Sequence, residues 1–100
     1  MTTIRTENRY PNIPPPAGAV TVYYWEDRHL LERASRYWVG TMRRVGRAEI
    51  MLDGTQWADG TLERCLTVHG VDDDKNMPTD TARKIAAALT EAADEIDGLT

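Results

Sequence analysis

Cys65 and His69 are the pair whose chemistry would matter most in this sequence, since a thiol and an imidazole can form a nucleophile with its base or half of a metal site. Their spacing decides against both roles. On a strand, residues four apart point the same way but stand roughly 13 Å from each other, beyond a shared metal or a direct hydrogen bond. A surface histidine and a half-buried cysteine are expected instead, and His29 joins them only if the tertiary fold brings it there. Asp72, Asp73, Asp74 and Asn76 form an acidic run that could attract a cation. It lacks the glycine and the distal glutamate of a calcium loop, because position twelve counted from Asp72 is Arg83, so a solvated loop is expected. There is no phosphate-cradling glycine loop, no dinucleotide fingerprint, no zincin helix and no Gly-x-Ser-x-Gly elbow. The sequence therefore predicts no catalytic residues, no metal ligands, no cofactor and no enzymatic activity.

The more informative constellation is basic and aromatic: Arg36, Tyr37, Trp38, Arg43, Arg44 and Arg47. Arginine beside aromatic rings can grip a phosphate backbone and stack bases, and the same residue types are enriched in protein interfaces. Charge is distributed unevenly around it. Residues 1–50 hold eight Lys/Arg against five acids, a balance of +3, whereas residues 51–100 hold four against eleven, a balance of −7. With a net charge of −4 and a pI of about 5.1, the contacts expected of this stretch are with protein, and nucleic acid is the alternative.

These residues need a framework, and 100 residues with 41% hydrophobic content give one domain. Residues 1–18 contain Pro11 and the run Pro14-Pro15-Pro16, which favours an extended or mobile segment without a core of its own. Residues 19–100 form the domain. Ala19–Trp25 alternates like a strand, with Val20, Val22 and Tyr24 against Thr21, Tyr23 and Trp25. Asp27 can cap a short helix through Ser35 that carries Leu30, Leu31 and Ala34. Tyr37–Arg44 returns to strand types, Gly46 turns the chain, and Arg47–Thr55 follows with Ala48, Ile50 and Leu52 buried opposite Glu49, Met51 and Asp53. Asp59-Gly60 is a hairpin signal leading into Leu62–His69, with Leu66 and Val68 inward. Thr79–Asp97 carries Ala82, Ile85, Ala86, Leu89, Ala92/Ala93 and Ile96 at helical spacing, with Thr79 as N-cap and Gly98 as terminator. The fold class expected is α+β, an antiparallel sheet of three to four strands with a long C-terminal helix packed on one face.

The segment from Gly54 to Thr61, followed by Ala82–Leu89 and Ala92–Asp97, resembles small uncharacterised proteins of actinobacteria and their phages that end in a hairpin and an alanine-rich helix. That resemblance covers about the last half of the chain and implies fold and source but no function. Residues 28–97 are also similar in element order to double-stranded RNA-binding domains, with Ala82-Arg83 and Ala86-Ala87 at the start of the last helix. Where that family carries phosphate-gripping lysines, this sequence has Thr79 and Asp80 behind three aspartates, which repel phosphate.

The function expected is a non-catalytic protein-interaction or regulatory module of phage or actinobacterial type. No apolar run approaches the roughly 20 residues that cross a bilayer, so no membrane association is expected. One cysteine points to a reducing compartment, the cytoplasm. One helix covers one face of a sheet, and the other face is expected to carry Tyr23, Trp25, Met51 and Cys65, joined by Trp38 and Met42. Such a patch predicts a homodimer through Tyr23, Trp25 and Met51.

Overall fold

The computed structural model describes residues 12–26, 34–72 and 76–99. Its elements are β1 (Thr21–Val22), β2 (Ser35–Val45), β3 (Ala48–Trp57), β4 (Leu62–His69) and α1 (Thr79–Gly98). The four strands form one sheet in the order β1-β2-β3-β4, every neighbour antiparallel. The helix lies across one side, which makes the α+β fold that the alternating and helical patterns predict. The expected helix from Asp27 falls mainly on residues 27–33, outside the described residues, and Ser35 already belongs to β2.

Turn chemistry sets the pairing. Gly46 takes a φ of 59° between Val45 and Ala48, the left-handed backbone that a two-residue hairpin needs at its first turn position. At the next turn Gly60 N–H donates to the Trp57 carbonyl and Trp57 N–H donates to Thr61, while the Asp59 side chain accepts from Thr61 N–H at 2.8 Å. This three-residue loop locks Gln56 opposite Leu62 and, seven pairs later, Glu49 opposite His69.

On the helix side β3 contributes Ala48, Ile50 and Leu52, all buried, and α1 covers them with Ile85, Ala88 and Ala92. Leu89, Ile96, Leu99, Val45 and Leu66 close the rim of this core. The helical face is thus centred on Ile85, Ala88 and Ala92. Ala82, Ala86 and Ala93, which the spacing had also placed on it, are exposed. The cap differs too: Pro78 precedes the helix with no side-chain cap bond, and Thr79 is its first helical residue. Proline suits that place because it lacks only an N–H that the helix start could not use.

The part of the helix side around Trp38 is covered by the N-terminal segment. Gln56 Nε2 donates to the Pro14 carbonyl at 3.0 Å and Arg36 Nη2 to the Ile13 carbonyl at 3.0 Å. Further along, a Cβ on Gly40 would come within 2.9 Å of the Gly18 carbonyl oxygen. Residues 13–18 therefore run along β2 over Trp38, which is fully buried, and Pro16 is buried with it. Composition alone sets this segment apart from the core. Its carbonyls, unusable by neighbouring prolines, are instead taken by side chains of the sheet.

Candidate binding face

Among the described residues nothing covers the side of the sheet away from α1, and alternation fixes what that side carries. Thr21 pairs with Val39, Val39 with Asp53, Asp53 with Cys65, and Tyr37 with Thr55, so all six lie on this open face. A bulge then changes the phase of β2. Between Val39 and Met42 two residues, Gly40 and Thr41, stand against Leu52 alone. Beyond it Met42 joins Met51 on the open face, while Arg43 turns to the helix side.

At the centre is Asp53, a carboxylate only 5% exposed. Tyr37 Oη donates to its Oδ2 at 2.5 Å, Thr67 Oγ1 donates to Oδ2 at 2.8 Å, and Cys65 Sγ donates to Oδ1 at 3.4 Å. Three neutral donors from two flanking strands thus satisfy a charge that has no cation beside it among the described residues. The donors respond. Burial, followed by the Asp53 hydrogen bond and charge, pushes the Tyr37 hydroxyl up to about 12. The same causes, with Glu63 adding to them, push the Cys65 thiol up to about 11. A thiol so held is a hydrogen-bond donor near neutral pH and not a nucleophile. His69 sits further along β4 opposite Glu49, clear of this cluster. The expected separation of Cys65 from His69 is thereby kept, and Cys65 is bound to a network that the alternation pattern did not reveal.

On its β1–β2 side this polar centre is flanked by exposed aromatic and apolar side chains, while Glu63, Thr67 and His69 line the β4 side. Tyr23 stacks on Tyr37 with ring centroids 5.6 Å apart, and Tyr23, Tyr37 and Met42 are 52%, 41% and 48% exposed. Two residues expected on this face are elsewhere. Trp38 pairs with Gly54, lies on the helix side and is buried. Trp25 lies over the Arg36 guanidinium at 4.6 Å, and Arg36 is on the helix side with Gln56, to whose Oε1 its Nε donates at 2.7 Å. The strand that would have kept Trp25 in phase with Tyr23 is regular only over Thr21–Val22.

The basic and aromatic stretch is divided in the same way. Arg43 bridges to Glu95 at 2.8 Å and to Glu91 at 3.5 Å on α1, and the Arg43 hydrogen bond holds the Glu95 carboxyl below its usual range. Arg44 pairs with Glu49 at 2.7 Å. Burial lowers the Arg36 guanidinium, which is already bonded to Gln56 and Ile13. Arg47 is exposed at the β2–β3 turn, where it borders a cleft of about 290 Å³ with Val45, Val71, Met77 and Ile85. Tyr37 points to the open face and Trp38 away from it. No common surface gathers the six.

Among the described residues there is no group of three or more His, Cys, Asp or Glu side chains that could hold a metal ion, and no helix long and apolar enough to cross a membrane. Comparison with protein-family models, curated proteins and solved structures finds no match to this chain.

Proposed function

We propose that this chain is a non-catalytic protein-interaction module and that a protein partner seats on the open face of its sheet. The observation that carries the reading is a pre-formed surface: exposed Tyr23, Tyr37 and Met42 around a polar centre already fixed by its own hydrogen bonds. Tyrosine and methionine are favoured at interface cores, and a satisfied centre loses little when water is removed from it. The protonated Cys65 thiol supports a non-catalytic role. Engagement of Arg36, Arg43 and Arg44 within the fold leaves nucleic acid the weaker alternative. The free thiol suits a reducing compartment such as the cytoplasm, and the resemblance to actinobacterial and phage proteins supplies the host in which to look.

The test is site-specific photocrosslinking in an actinobacterial lysate. A benzophenone side chain at Met42 should capture one protein, with or without nuclease, while the same group at Ala86 on the outer side of α1 should not. Capture of nucleic acid, or equal capture from both positions, refutes the reading.

A further inference from the structure

The edge of the sheet opposite β1 is a second surface, independent of what the open face binds. Trp57 turns both its N–H and its carbonyl towards the β4 side of the hairpin. Alternation then aims the backbone groups of the odd residues of β3, and of their partners Glu63, Cys65, Thr67 and His69, into the ladder. Leu62, Arg64, Leu66 and Val68 are left presenting theirs outward. Among the described residues no strand pairs with that side. Edges are normally blunted by charged side chains, above all lysine, by proline, by a bulge or by short length, and of these β4 has only Glu63 and Arg64. β1 is two residues long, whereas β4 has eight residues in unbroken register and neither proline nor lysine.

We propose that the occupant of this edge is a second copy of the chain, paired β4 to β4 antiparallel about a twofold axis at Leu66, so that two sheets join into one of eight strands. Residues facing each other across antiparallel strands share a face of the sheet, so only registers that keep like faces together are allowed. With Leu66 opposite the partner's Leu66, Glu63 stands opposite the partner's His69, and the twofold makes that pair twice. Cys65 meets the partner's Thr67. Arg64 meets the partner's Val68, which is 42% exposed in the single chain, and the aliphatic stem of the arginine covers it. Moving the axis to Cys65 separates both Glu–His pairs and sets Arg64 against the partner's Leu66. Stacking the open faces instead would bring two like Asp53 charges towards each other, with no cation beside either among the described residues. Pairing at the edge leaves both open faces on the same side, side by side and free.

Disulfide trapping reads the register directly. In a Cys65→Ser background, Glu63→Cys and His69→Cys lie about six residues apart along one strand, too far to bridge within a chain. Oxidation of that double-cysteine protein should give at least about five times the covalent dimer that either single-cysteine variant gives, where like positions are roughly 20 Å apart. Native Cys65, about 8 Å from its copy in this register, should not crosslink. Sedimentation equilibrium of the native chain at tens of micromolar should report a dimer, and Met42→Glu on the open face should leave that mass unchanged. A monomer across that range overturns the proposal. So does ready crosslinking of native Cys65, double-cysteine trapping no better than the single variants, or a Met42→Glu protein that dissociates. Failure of Met42 to capture a partner, by contrast, bears only on the open face.

Discussion

Asp53 shows how a buried charge can be made tolerable without a countercharge. Its two oxygens accept three hydrogen bonds, and each donor is neutral, so the charge is spread into hydroxyl and thiol dipoles and not cancelled. Cys65 records this arrangement in its reactivity. With the thiol at about 11, roughly one molecule in a thousand carries a thiolate at pH 8. Asp53→Asn removes the negative charge and the preferred acceptor while keeping the shape, so it should bring the thiol down and speed iodoacetamide alkylation at pH 8 several-fold, as followed by mass spectrometry. An unchanged rate would show that the Asp53 charge does not control Cys65. Half of this cluster is legible in the sequence. The three loop residues after Trp57 place residue 53 opposite residue 65, and alternation puts both on one face. Tyr37 is not legible, because the two-residue hairpin at Gly46 would place residue 40 opposite residue 53. Only the bulge at Gly40 and Thr41 brings Val39 there, with Tyr37 on the same face.

At the scale of elements, the same bulge joins the sheet to the helix. It turns Arg43 towards Glu95 and Glu91, and Thr41 Oγ1 donates to Glu95 Oε2 at 3.0 Å, so one irregularity of β2 anchors the last turns of α1. The helix approaches closely because its contact line is built on alanine. Periodicity alone found the helix but spread its buried face over Ala82, Ala86 and Ala93. Alanine is small and nearly neutral in hydropathy, so an alanine-rich helix says little about which of its sides faces the core. Ala92 is fully buried and Ala93 exposed. Ala92→Leu should therefore cost about 1–3 kcal/mol through overpacking against the sheet, whereas Ala93→Leu should change stability by less than about 0.5 kcal/mol. Urea denaturation of the two variants separates them, and equal effects would mean that the helix is rotated from the face described.

For the molecule as a whole, the helix alone does not complete the second layer. A 20-residue helix spans about 30 Å but shields only a strip roughly 10 Å wide, while four strands extend about 14–15 Å across. The strip beside the helix contains Trp38, the largest fully buried side chain among the described residues, and the N-terminal segment fills it. Proline-rich chain suits this task. It leaves its carbonyls free for Arg36 and Gln56, and it loses less conformational freedom on docking than other chain of the same length. The two covers also meet, since a Cβ on Gly18 would come within 2.7 Å of Leu99 Cδ1 just beyond the helix. Proline content therefore marks a stiff structural cover here, where composition by itself suggests a segment without a core of its own. Deletion of residues 1–18 should expose Trp38 and leave Gln56, otherwise buried, without its acceptor, at a loss of about 2–4 kcal/mol. For a domain of this size that corresponds to a fall in melting temperature of more than about 10 °C, measured by circular dichroism. A truncated chain that melted with the full-length protein would show that the sheet and helix hold Trp38 by themselves.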